Sequence, residues 1–289
     1  MIKVCDIEHL PQLVEIAFKR NSIPTSNCAF CSSSAKSITR DFEFIINSPD
    51  CLMVGAFCNS IVVGMLGCFV NPDNNWVDCC GPFFRDEWDQ DIAKNMFDFA
   101  KSTFTKAVRF NFFFNKQNKD YHSLMGALSA ERGDNEYILL LDKADYKPQE
   151  IKAHVVPYTD KYEKALVKLH DTSFPDVYVT GRDIIAALDK NREVFCVLDE
   201  NGVFAGYGVL KFTKESKRLT AEIFAVESEK RGKGYGWALL NAVLDAAFNK
   251  YDGEVVDLVV ERLNTHAKNL YYSCGFRLSV ENEAFWLKV

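Results

Sequence analysis

The sequence predicts an α/β (α+β) fold in two tandem domains, residues 1–145 and 151–289, each a mixed, mostly antiparallel twisted sheet flanked by helices. Three observations carry this. The apolar run Ile223-Phe224-Ala225-Val226 leads through the glycine-rich stretch Arg231-Gly232-Lys233-Gly234-Tyr235-Gly236 into a helical pattern from Trp237. A second buried-strand pattern, Val255-Val256-Asp257-Leu258-Val259-Val260, leads into a second helix that stops at Gly275. The same order of elements occurs twice along the chain.

In the second half, residues 194–198 and 203–210 are apolar runs joined by Asp199-Glu200-Asn201-Gly202, and Asn-Gly between two such runs signals a hairpin. A third strand runs from about Leu219 to Val226, and the helix after the glycine turn carries Trp237, Leu240, Leu244 and Phe248 at helical spacing. The chain closes on Ala284-Phe285-Trp286-Leu287. Shifting by 146 places Asn264 on Asn118, Leu270 on Leu124 and Arg231 on Arg85, and brings the apolar run before the glycine turn onto residues 76–80. A shift of 142 places Gly206 on Gly64 and Val203 on Ile61, so a loop differs by four residues. The halves form a tandem repeat with a boundary in the charged, proline-bearing stretch 142–150.

Composition bounds the function classes. With 289 residues, 48% apolar and 26% charged, the chain reads as an ordinary globular protein of about two domains. It has no long uncharged apolar window and no leader-like start, so no membrane partner and a cytoplasmic location are expected. A net charge of −6 argues against a nucleic-acid partner and for a cationic or neutral amine. Eight of ten cysteines fall in residues 1–80 and read as reduced, small apolar fillers. Cys28-Ala-Phe-Cys31 and Cys79-Cys80 lack the spaced pairs of a zinc site, so no metal is expected.

The R-x-x-G-x-G spacing is neither a dinucleotide fingerprint nor a P-loop. Its glycines tolerate positive φ, and its amides converge at a helix N-terminus, which suits a phosphate or pyrophosphate. A turn that merely caps the helix is the plain alternative. Downstream, residues 264–276 read N-x-x-A-x-x-L-Y-x-x-x-G-F, with Ala267, Leu270, Tyr271 and Cys274 on one helical face.

With both motifs in order, residues 151–289 resemble the GNAT superfamily of acyl-CoA-dependent N-acyltransferases. The resemblance implies acetyl-CoA as co-substrate and direct attack of an amine on its thioester. It implies that the backbone of Phe224, Ala225 and Val226 bonds the pantetheine arm, and that Arg231, Gly232, Lys233, Gly234, Tyr235 and Gly236 hold the pyrophosphate. Asn264 and Lys268 are further cofactor-binding candidates, although Asn264 also suits an N-cap. Tyr271 stands at the family's position for the acid that protonates the leaving thiolate; a packed aromatic is the alternative. Glu222 is the general-base candidate, because period-two counting puts it on the face of Phe224 and Val226. Glu261 is the runner-up, while His170 and His266 read as surface or capping residues. Residues 171–181, with Phe174, Asp176 and Tyr178, are expected at the mouth of the acceptor site.

The first half has Trp88 and Gln90 where Gly234 and Gly236 stand, Met125 for Tyr271, and Ser129-Ala130 for Gly275-Phe276. It reads as a degenerate copy that either walls the acceptor cleft or mimics a dimer partner. The leading expectation is an N-acetyltransferase acting on a primary amine of a small molecule or peptide, as a monomer or weak homodimer. A non-catalytic acyl-CoA sensor or scaffold is the alternative. An aminoacyl- or thiol-conjugate acyltransferase is a third, against which the length and acidity count.

Overall fold

A computed structural model describes residues 1–71, 75–175, 179–188, 190–212 and 216–288. Two compact units emerge, one of residues 1–136 with 280–289 and one of residues 137–279.

The first unit contains β1 (Ile2–Val4), α1 (Leu10–Asn21), α2 (Ala35–Asn47), β2 (Leu52–Cys58), β3 (Ile61–Asn71), β4 (Trp76–Phe84), α3 (Gln90–Thr103), β5 (Arg109–Asn115), α4 (Lys119–Leu128) and the short β6 (Glu131–Arg132). The next elements are β7 (Glu136–Asp142), β8 (His154–Pro157), α5 (Glu163–Ser173), α6 (Gly181–Ala186), β9 (Arg192–Leu198), β10 (Phe204–Lys211), β11 (Arg218–Val226), α7 (Tyr235–Asp245), β12 (Val255–Glu261), α8 (Thr265–Ser273) and β13 (Arg277–Lys288).

Strand order in the first unit is β1-β2-β3-β4-β5-β13, and in the second β8-β9-β10-β11-β12-β7. The pairs β1–β2, β2–β3, β3–β4, β5–β13, β8–β9, β9–β10 and β10–β11 are antiparallel, and β4–β5 and β11–β12 are parallel. The mixed, mostly antiparallel sheets expected from the sequence are therefore present twice. The units do not follow the expected division at 142–150. Residues 137–142 of β7 belong to the second unit and residues 280–289 to the first. By the repeat, β7 and the end of β13 are counterparts, so each unit is completed by the strand that chain order assigns to the other. The apolar side chains explain it: Leu139 and Leu141 are fully buried in the second core, while Phe285 stacks on Phe114 in the first at 5.4 Å.

Helix formation follows local signals. Ser34 caps α2 through the Ser37 amide, and Ile38, Phe42 and Ile45 fall on its buried face. Asn118 and Asn264, matched by the repeat, cap α4 and α8 in the same way, accepting from Tyr121 N at 3.2 Å and Ala267 N at 3.1 Å. In the second unit one sheet face packs on α7 with Leu240 and Leu244 and on the helical turn after it with Phe248, and the other on α5 and α6 with Leu166 and Ile184. Helix α7 starts at Tyr235, two residues before the expected Trp237, because Gly234 takes the N-cap position.

The two spacings have a structural origin. Strands β4 and β11 end at Phe84 and Val226, 142 apart, whereas β5 and β12 begin at Arg109 and Val255, 146 apart. Helices α3 and α7 begin at Gln90 and Tyr235, 145 apart, so three of the four extra residues lie in the glycine turn. The expected match of residues 76–80 to the end of the strand is thereby corrected: β4 continues to Phe84, and the turn after it is shorter.

Candidate active site

Strands β11 and β12 are paired over only three residues, Arg218↔Val255, Leu219↔Val256 and Thr220↔Asp257. Beyond that point the parallel ladder ends and a gap opens along the second half of β11. Glu227 N bonds Ala205 O at 2.9 Å, so the alternation of antiparallel pairing turns the N–H and C=O of Phe224 and Val226 away from β10, toward the gap. Ala225 is thereby turned to β10 instead. The Val226 carbonyl accepts from Arg231 Nε at 3.1 Å.

The gap runs up to the glycine turn. Gly232 and Gly234 sit at φ +78 and +81, where a side chain would be strained, and no atom lies within 4 Å of a Cβ built on either. Gly234 caps α7 without a side chain, so the first-turn amides lack a side-chain cap. Gly236 lies inside the first turn of α7, 3.6 Å (from its would-be Cβ) to Leu270. The turn is braced from the β9–β10 hairpin: Lys230 pairs with Asp199 at 2.9 Å, Lys233 with Glu200 at 3.7 Å, and Tyr235 donates to Glu200 at 3.3 Å.

The first unit has the same splayed strands, with β4 and β5 paired only at Trp76↔Arg109, Val77↔Phe110 and Asp78↔Asn111. There both carbonyls that face the gap are already used. Tyr121 Oη donates to Pro82 O at 3.0 Å, Arg20 Nε to Phe84 O at 2.7 Å, and Pro82 has no N–H to offer. The Asp89 carboxylate accepts from Ile92 N at 2.9 Å and caps α3. Trp88 packs on Phe84 and Tyr121, and its indole donates to Gln90 at 3.0 Å. Tyr121 stands where the second unit has Ala267, and its role was not foreseen. Reading that one pair as large against small would have shown it.

Tyr271 lies on α8, half-buried, edge-on to Phe276 at 6.0 Å. Burial pushes its phenol up to about 12. Its hydroxyl makes no hydrogen bond among the described residues. The placement of Glu222 corrects the sequence reading. A β-bulge falls at this residue, since Ile223 pairs with Val209 but Ala221 with Leu210. Period-two counting fails across it. Leu219 and Ala221 join the α7 side of the sheet, as Phe224 does, while Ile223 and Ala225 join the α5 side. Glu222 therefore points to the α5 side, where Arg192 grips both carboxylate oxygens at 2.6 and 2.9 Å and Lys211 lies 3.3 Å away. Burial raises its carboxyl, but the Arg192 bonds and the Lys211 and Arg192 charges outweigh it, and it titrates below the ordinary range. These partners suit an ion pair better than a base.

The remaining expected residues are dispersed. Glu261 is exposed at the end of β12. Asn264 caps α8. Lys268 bonds the Arg262 carbonyl and lies 5.2 Å from the Tyr137 ring. His266 is exposed, but His170 is buried, contrary to expectation: its ring joins Tyr207 Oη and Val179 O, each at 2.6 Å. Phe174 packs on His170 at 5.4 Å; Asp176 and Tyr178 lie outside the described residues. All ten cysteines are free thiols, and no group of metal-ligating side chains occurs among the described residues. No described helix is long and apolar enough to cross a membrane.

Residues 162–276 match the family model described as Acetyltransferase (GNAT) family. No curated protein matches the chain. Among solved structures, a tandem GNAT protein from the clavulanic acid biosynthesis pathway is 14% identical, with 100% of this chain and 98% of that chain covered and a TM-score of 0.72. A GCN5-related N-acetyltransferase from Sphaerobacter thermophilus is 12% identical over 100% of this chain and 95% of that one, with a TM-score of 0.80. A GNAT-family acetyltransferase from Colwellia psychrerythraea is 16% identical over the whole of both chains, with a TM-score of 0.61. At such identities the structural likeness is one of fold, and it extends over both units, whereas the sequence match lies within the second. The chain has the fold of the tandem GNAT proteins, and its residues 162–276 match the GNAT acetyltransferase family.

Proposed function

We propose that the second unit transfers an acetyl group from acetyl-CoA to a primary amine of a small molecule or peptide. One observation carries the reading: the Phe224 backbone, the Val226 N–H and the uncapped first turn of α7 are open to a guest, whereas in the first unit the Pro82 carbonyl is taken by Tyr121, Pro82 has no N–H, and Asp89 caps α3. The residues fit a pantetheine diphosphate. Its amides would add to β11 as to a sheet edge, and its phosphates would sit over Gly232 and Gly234, where there is room for them. Arg231 and Lys233 would offer charge, and Asn264 and Lys268 would close the far side.

Bound acetyl-CoA supplies a thioester carbonyl as electrophile. Tyr271 holds a proton through the neutral range, since its phenol ionises only at about 12, and can deliver it to a developing thiolate. With Glu222 committed to Arg192 and Lys211, we assign the amine's proton to solvent rather than to a side-chain base. The test is an assay of free-thiol release with a panel of primary amines, with the acetylated product identified by mass. Transfer to at least one amine is expected.

The commitment of Glu222 also favours a second reading, a module that binds acyl-CoA without turnover. Tight binding with no thiol released across the panel would select it.

A further inference from the structure

The α5-facing side of the second sheet is apolar at Val194, Cys196, Tyr207, Val209, Ile223 and Ala225. It changes character along one line. Arg192 pairs across to Lys211, Lys211 to Thr220, and Thr220 to Asp257, so four polar residues form a single row across β9, β10, β11 and β12. Residues directly opposite in a ladder share a face. The row ends at Thr220↔Asp257, the last pair before β11 and β12 diverge, and the Glu222 bulge adds its carboxylate to the same side. A guest lying along Phe224–Val226 with its phosphates at the glycine turn has its other end at this apex. The acceptor must reach that end, and the α7 side is filled by core.

Charge in the row is already matched except at one position. Asp257 accepts from Arg218 at 2.5 Å, and Glu222 is held on both oxygens by Arg192. Lys211 shares the Glu222 Oε1 at 3.3 Å, has no carboxylate of its own among the described residues, and keeps 39% of its side chain exposed. The neighbouring Thr220 hydroxyl makes no hydrogen bond among the described residues. An ammonium and a hydroxyl side by side on a partly desolvated floor suit a carboxylate, whose hydrogen bonds to a charged donor are the strong ones. The same floor disfavours a polycation.

We propose that the acceptor is an amine bearing a carboxylate, such as an amino acid or a peptide with a nearby acid, and that Lys211 with Thr220 anchors that carboxylate. The inference rests on the acetyl-transfer reading for its location at the apex, but its test does not require turnover. The full chain, saturated with CoA, is titrated calorimetrically with matched pairs: L-phenylalanine against phenethylamine, and L-lysine against cadaverine. The carboxylate-bearing member is expected to bind about tenfold tighter, the worth of one charge-assisted hydrogen bond. Lys211→Met should lower that preference about tenfold and Lys211→Arg should restore most of it. Equal affinity within each pair, or a preference that survives Lys211→Met, overturns the proposal. Selective binding without thiol release would defeat the acetyl-transfer reading and leave the anchor standing.

Discussion

The hydroxyl of Tyr121 donates to the carbonyl of Pro82 at 3.0 Å, closing the gap between β4 and β5 from inside the protein. The repeat places Ala267, which has no hydroxyl to donate, at the matching position in the second unit. A single large-for-small exchange, together with the missing N–H of Pro82 and Asp89 at the helix terminus, separates a closed copy of the cleft from an open one.

Tyr121→Phe leaves the buried Pro82 carbonyl without its partner and should cost about 1–3 kcal/mol. Tyr121→Ala adds a cavity and should cost about 3–5 kcal/mol. Urea unfolding measures both. Neither variant should gain a second cofactor equivalent, because Pro82 still lacks an N–H and Asp89 still caps α3.

Gly234→Val puts a β-branched residue at φ +81 on the rim of the anion cradle. The strain should cost about 1–2 kcal/mol in thermal unfolding. The affinity for acetyl-CoA should fall at least about tenfold, because the branched side chain crowds the phosphates as well as straining the turn. Unchanged affinity in a folded variant would remove the glycine turn from the cofactor site.

Tyr271→Phe removes a hydroxyl with no protein partner, so stability should change by less than about 0.5 kcal/mol. Turnover should fall about a hundredfold if the phenol is the acid, with cofactor affinity retained. The pH dependence has a definite sign. Burial raises the folded phenol from 10.0 to about 12, so its stabilising contribution is complete below pH 10 and is lost as pH rises toward 12. The wild-type rate should therefore show no alkaline fall attributable to Tyr271 below about pH 11.

Glu222→Ala leaves the Arg192 guanidinium buried without its bidentate partner and should destabilise the second unit by about 3 kcal/mol. The Glu222 carboxyl titrates below its ordinary 4.5, so its contribution is present above that pH and is lost as pH falls through the lowered value. Acid unfolding of wild type should show this loss, and the variant should not. A wild-type rate profile whose acid limb disappears in Glu222→Gln would instead return Glu222 to the role of base.

Local signals carried much of the fold. The Asn201-Gly202 turn, the Asn264 cap and the stop at Gly275 rest on neighbours in sequence, and each stands where the sequence reading put it. The repeat was legible because Asn118 and Asn264 do the same work at matched positions. What sequence did not show depends on non-local pairing. The bulge at Glu222 is a relation between β10 and β11, and one extra residue turned the expected base to the other face. The exchange of β7 and β13 depends on which core receives Leu139 and Phe285, and two similar apolar strands look alike from their residues. His170 reads as a polar residue at a helix end, and only the packing of Tyr207 and Val179 around it makes it a core histidine.

The most direct test of the central claim is calorimetric titration of the full chain with acetyl-CoA, reading stoichiometry with affinity. One equivalent per chain, abolished in Gly234→Val, is the predicted result: an open cleft in the second unit and a closed one in the first. Two equivalents would contradict the closure by Tyr121, and no binding would contradict the open cleft at Phe224–Val226.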